Sequence, residues 1–195
     1  MEITFREVMT IVHGMLFGAL LLLSFAGAAI GLYAISASTN SWTPNRGQRN
    51  FFSVYLAIMA LLAWAAVLLG AYAIYPWYRA HPPAGTLDLS GFPQRLLLSK
   101  TSTAGWHDIG MEWKEHIAWL APISLTAVAY MFAHYGTDLR FHKPLRNAVF
   151  ALLVLGFIAA SVAGFFGAML NKFAPVRGGP NVIVMQETHE RKFGA

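Results

Sequence analysis

The stretch NAVFALLVLGFIAASVAGFFGAMLN, from Asn147 to Asn171, decides the fold class of this protein. It contains no Asp, Glu, Lys, Arg or His. At about 1.5 Å per residue, a helix of this length crosses a hydrocarbon core of roughly 30 Å. Backbone groups in lipid must be satisfied within the segment, which favours a helix. The stretch therefore predicts a transmembrane helix.

Three further apolar runs have the same character, and together they define the architecture. The sequence predicts an all-α integral membrane protein in which four transmembrane helices form one bundle. A long loop with an amphipathic helix (Gly105–Glu115) separates spans two and three. We expect a single membrane domain over 1–195, with spans at about 8–35, 51–77, 116–134 and 147–171 and a polar C-terminal tail over 172–195.

Small residues at intervals of four predict where the helices touch. Span four has Gly156, Ala160, Gly164 and Ala168, and span one pairs Gly14 with Gly18 and Gly27 with Gly31. Such small-xxx-small patterns let helix backbones approach closely in lipid.

The composition of the chain excludes several classes of protein. Of its 195 residues 56% are hydrophobic and 12% charged, and its mean hydropathy is +0.50. Soluble domains carry about 25% charged residues, so this chain is not expected to be a soluble globular enzyme or a disordered chain. With no cysteine, it is not a disulfide scaffold. The absence of charge deep in any span argues against an ion pump or carrier acting alone.

The distribution of Lys and Arg favours one orientation. With four spans, both termini and the long loop lie on one side, which carries nine of the 14 basic residues, and the other side carries five. By the positive-inside rule, the termini are expected on the cytoplasmic side. The expected location is a bacterial cytoplasmic (inner) membrane. The lipid bilayer is the expected partner, and the formal net charge of +5 suits anionic headgroups. Nucleic acid is not expected, because the basic residues are scattered along the chain.

Histidine placement is the main chemical signal in the sequence. His13 and His116 both lie near the beginning of parallel spans, and His81 follows the end of span two on the same side. Imidazoles from neighbouring helices can hold a haem iron inside a bundle. We expect haem b with His13 and His116 as axial ligands, His81 as the next choice and His134 as a candidate at the far side. Interfacial or hydrogen-bonded histidines without a cofactor are the alternative.

A second group of polar residues precedes span three. His107, Asp108, Glu112 and Trp113 combine imidazole, carboxylate and indole groups at a membrane face. Quinone carbonyls need hydrogen-bond donors, and quinone redox chemistry needs proton carriers. These residues predict a quinone site, and a solvated amphipathic segment is the alternative.

In helix number and histidine placement, the chain is broadly similar to four-helix b-type cytochromes and to the haem-bearing anchors of respiratory dehydrogenases. This resemblance implies an electron-transfer subunit of a larger respiratory or photosynthetic complex, with other membrane or peripheral redox subunits as partners. Catalysis would belong to those partners. The alternative is a cofactor-free scaffold subunit of a multi-subunit membrane complex.

Overall fold

The computed structural model describes residues 2–37 and 44–183. Within these ranges four helices are long and apolar enough to cross a membrane: α1 (Phe5–Ile35), α2 (Arg46–Tyr78), α4 (Thr101–Phe141) and α5 (Lys143–Phe173). A short helix α3 (Pro93–Leu98) lies in the connection between α2 and α4. The predicted all-α architecture is confirmed in this sense, and the four helices fit a multi-pass membrane protein.

The long helices extend beyond the predicted spans because polar residues begin them. The Asn45 side chain accepts from the backbone N–H of Gln48, and the Gln48 side chain accepts from the backbone N–H of Asn45. This capping box starts α2 at Arg46, well before the apolar run. The amphipathic segment before span three joins α4, as expected.

Helix α4 is interrupted just before Pro122. A π-helical turn covers Trp113–Ile117, and a regular α-helix resumes at Leu120. Proline has no N–H to donate to the carbonyl of Ala118, and its ring crowds that carbonyl. The backbone therefore closes instead through Ala121 N–H to Ala118 O at 3.1 Å.

The helices pack as a closed ring in which each contacts its two neighbours. Gly27 and Gly31 of α1 lie directly against the rings of Tyr55 and Phe52 of α2. Gly156 of α5 lies against Leu125 of α4, where an added Cβ would be 3.5 Å from Cγ. The predicted contacts are found at Gly27, Gly31 and Gly156. The prediction is wrong for Gly14 and Gly18, because a Cβ at Gly14 would have no atom within 4 Å and one at Gly18 would meet only the backbone oxygen of His13 in the same helix.

Two short strands join the chain segments that flank the bundle. β1 (Glu2–Thr4) pairs antiparallel with β2 (Asn181–Ile183). Phe5 N–H donates to Pro180 O at 2.9 Å, and a salt bridge of 3.2 Å joins Arg177 to Glu7. Both flanking segments therefore lie at the same end of the bundle. Part of the predicted polar tail is this strand, and the tail from residue 184 onward lies outside the described residues.

The buried apolar residues form two separate clusters at different levels. The apolar half, centred on Leu32, Leu56, Val128 and Phe132, fills the bundle away from the strands. A smaller cluster under the strand end includes Tyr78, Leu97, Met111 and Leu170. The level between these clusters contains polar side chains and three π-helical segments: Val12–Ala19, Gly70–Ile74 and Trp113–Ile117.

Candidate functional site

A cleft of about 230 Å³ opens at the strand end of the bundle, beside the beginning of α4. The end of α2, the short helix α3 and the first turns of α4 meet there. The cleft is lined by Arg79, Gln94, His107, Asp108, Met111, Glu112 and Glu115. Three of the four residues predicted for a quinone site, His107, Asp108 and Glu112, are therefore brought together in one cleft.

His107 is held in this cleft by groups from two other helices. The Tyr78 hydroxyl and His107 Nδ1 are 2.6 Å apart, and Gln94 Nε2 lies 3.4 Å from His107 Nε2. A neutral imidazole has one N–H and one lone pair, so it cannot accept from both partners. Both contacts are made when Nδ1–H donates to the Tyr78 oxygen and Nε2 accepts from the Gln94 amide. Gln94 also lines the cleft, and its amide has a second N–H for an acceptor there.

A second hydrogen-bonded chain forms the charged wall of the cleft. Arg79 Nη1 donates to the Tyr75 hydroxyl at 2.6 Å, and this hydroxyl donates to Glu115 Oε1 at 2.8 Å. One phenol thus links a guanidinium and a carboxylate that both line the cleft. The arrangement combines fixed donors with a carboxylate that can take up or release a proton.

Trp113, the fourth predicted quinone residue, lies elsewhere. Its indole Nε1–H donates to the backbone carbonyl of Ala159 on α5 at 3.2 Å. Trp113 lies at the level between the two apolar clusters. We call this level the polar layer and define it by His13, Trp113, Lys114 and Ser161. In this layer His13 Nδ1 and Ser161 Oγ are buried without a hydrogen-bond partner.

The structure places the two predicted haem ligands in different surroundings. The His13 ring is partly buried, and its Cε1 is 3.0 Å from where a Cβ on Gly70 would lie. The His116 side chain is 68% exposed, and its Nδ1 lies 3.3 Å from Glu112 Oε2. No ring contact between these two imidazoles occurs in the described part of the chain.

The other two predicted ligands are remote from His13. His81 is exposed in the loop after α2, where its Nδ1 lies 2.8 Å from Arg95 Nη2. His134 is near the end of α4 and stacks on Tyr130 with ring centroids 6.1 Å apart. Of the four histidines predicted as haem ligands, His13 is therefore the one directed into the bundle, and the other three are exposed. Residues 2–37 and 44–183 contain no group of three or more His, Cys, Asp or Glu side chains arranged to hold a metal ion.

Several residues of the site were not identified from the sequence. Tyr75, Tyr78 and Gln94 belong to no recognisable motif, and Gln94 lies in the short helix α3 of the long connection. Lys114 is likewise part of no motif, and its ammonium lies against α5 beside Gly167. The four-residue spacing of Tyr75, in the last turn of α2, and Arg79, which caps it, is the signal that was present in the sequence.

Comparison with protein-family models, with curated proteins and with solved structures finds no significant match to this chain. The function is therefore argued from the geometry of the cleft and the polar layer.

Proposed function

We propose that this protein is a membrane subunit of an electron-transfer complex and that it binds the headgroup of a quinone in the cleft beside α4. The observation that carries the proposal is the convergence of Tyr78, His107 and Gln94 with the Arg79–Tyr75–Glu115 chain. Pockets that enclose a whole drug-sized ligand measure about 300–1,000 Å³. A cleft of about 230 Å³ suits a headgroup whose isoprenoid tail stays in lipid.

The cleft offers groups suited to both parts of quinone chemistry. The Arg79 guanidinium and the second N–H of the Gln94 amide are donors for the carbonyl oxygens of the ring. Reduction of a quinone to a quinol takes up two electrons and two protons. The electrons are exchanged with a redox centre of a partner complex, and Glu115, Glu112 and Asp108 are the nearby carboxylates that can relay protons.

Quinone binding by the purified full-length protein tests this proposal. We expect a short-chain quinone, titrated into protein in lipid nanodiscs, to bind saturably. Tyr78→Phe removes the hydroxyl that orients His107 and should weaken binding by about tenfold, as for one lost hydrogen bond. Tyr72→Phe is the matched control, because Tyr72 lies on the same helix but is 74% exposed. Wild-type protein that binds no quinone, or equal affinity in both variants, would overturn the proposal.

Haem b ligation stays a prediction, and within this chain it concerns His13 more than His116. A reduced-minus-oxidised absorption spectrum of the same preparation tests it. A b-type α-band that is lost in His13→Ala but kept in His116→Ala would identify His13 as the ligand from this chain. If the protein binds neither quinone nor haem and is recovered only with larger subunits, the scaffold function is favoured instead.

A further inference from the structure

The polar layer contains a cation that has no counter-charge. The Lys114 ammonium lies inside the bundle, 3.0 Å from where a Cβ on Gly167 would lie, and part of the side chain remains accessible. The two salt bridges in residues 2–37 and 44–183 join His116 to Glu112 and Arg177 to Glu7, so neither involves Lys114. The ammonium therefore stays accessible to an anion, and it has no carboxylate oxygen within 4.0 Å in these ranges.

The acidic neighbours of Lys114 on its own helix are directed elsewhere. Glu112 is 78% exposed and pairs with His116, and Glu115 accepts from Tyr75 in the cleft. On α1, His13 lies within electrostatic range of the ammonium. On α2, the Ala66 backbone and Gly70 lie beside the His13 ring, and on α5 Gly167 lies beside Lys114. The surroundings are therefore cationic or neutral.

The backbone around this pair is distorted in three of the four long helices. His13 lies in one π-helical segment, Gly70 begins a second, and Lys114 lies in a third. Single π turns in α-helices occur frequently at functional sites. In α4 the wider turn directs Lys114 towards α5 while Glu112 and Glu115 stay outside. This distortion is a second observation, independent of charge, that indicates a ligand site.

We propose that Lys114 and His13 form an internal binding site for a phosphate group. An ammonium is a common protein ligand for phosphate, and the anion would also stabilise an imidazolium whose Nδ1–H finds an acceptor. The source is the headgroup of an anionic phospholipid, because the site lies between lipid-facing helices near one end of the bundle. Free inorganic phosphate has the same chemistry and is the other source to distinguish. The proposal is independent of quinone binding in the cleft.

Thermal unfolding of delipidated full-length protein in detergent tests the site. We compare wild type with Lys114→Met, which keeps an apolar stem of similar length, and with Lys114→Arg, which keeps the charge. Lys100→Met is the matched control, because Lys100 is exposed in the connection before α4. The probes are phosphatidylglycerol, phosphatidylcholine and inorganic phosphate.

We expect saturating phosphatidylglycerol to raise the Tm of wild type, Lys114→Arg and Lys100→Met by about 5 °C, and that of Lys114→Met by less than half as much. Phosphatidylcholine should have little effect. An equal rise with inorganic phosphate alone would support the site with free phosphate as its ligand. Without lipid, Lys114→Met should unfold at or above the wild-type Tm, because it removes a partly buried cation that pairs with no carboxylate in residues 2–37 and 44–183. No rise in wild type with either anion, or a full rise in Lys114→Met, would overturn the proposal.

Discussion

The apolar half of the bundle and the polar layer are built from the same four helices but differ in how they are packed. In the apolar half the helices are regular, and the Phe52 and Phe132 rings meet edge to face with centroids 4.9 Å apart. In the polar layer three helices contain π turns, and His13 Nδ1 and Ser161 Oγ lack partners. The apolar half therefore supplies most of the packing. Unpartnered buried atoms are not confined to the polar layer, because Arg140 Nε and Nη1 near the end of α4 also lack partners.

The largest expected loss of stability comes from a substitution in the apolar half. Phe132 is 0% exposed, so Phe132→Ala removes a full ring and leaves a cavity among α1, α2 and α4. The free energy of unfolding should fall by about 3–5 kcal/mol. The measurement is reversible unfolding in mixed micelles, followed by tryptophan fluorescence.

Phe51→Ala is the control for this change, because Phe51 is 73% exposed on α2. It should lower the free energy of unfolding by less than about 1 kcal/mol. Similar losses in both variants would show that the apolar half does not dominate stability.

A smaller effect is expected from the glycines of α1. An added methyl group at Gly31 would overlap the ring of Phe52 in the apolar half. Gly31→Ala should therefore lower the free energy of unfolding by about 1–3 kcal/mol through overpacking. At Gly14, beside His13, no atom lies within 4 Å of the added Cβ, and Gly14→Ala should be neutral or slightly stabilising. Tm values of the two variants in the same detergent check the difference, and an equal decrease would contradict it.

The smallest loss of stability is expected from the removal of one hydrogen bond in the polar layer. Trp113→Phe removes the indole donor to Ala159 O, the hydrogen bond that ties α4 to α5 at this level. Relative to Trp119→Phe, which removes a similar ring area from the same helix, it should lower the free energy of unfolding by a further 1 kcal/mol or so. Equal stability of the two variants would mean that this bond contributes nothing to the packing of the layer.

The sequence predicts the apolar half better than the polar layer, for a physical reason. Long apolar runs and small-residue spacing specify which segments are helical and where Gly27, Gly31 and Gly156 pack. To predict the orientation of a polar side chain from sequence, one must assume a constant helical rotation of about 100° per residue. The π turn at Trp113–Ile117 and the interruption before Pro122 break that constancy.

The same cause explains the outcome for individual site residues. His107, Asp108 and Glu112 precede the π turn of α4, and their predicted grouping is found in the cleft. Trp113 and Lys114 lie within the turn, and both are directed into the bundle instead of towards the surface. A wider turn depends on tertiary packing, so the local sequence pattern did not indicate it.

The pairing of β1 with β2 also affects how the protein can be divided. The two strands link the beginning of α1 to the segment after α5, so the first and last helices are fastened together independently of the loops. If the chain were divided between α2 and α3, each piece would carry one of the two strands, and the pairing of β1 with β2 would hold the pieces together. Co-expressed halves of the molecule should thus reassemble more readily than a four-helix bundle held by side-chain packing alone.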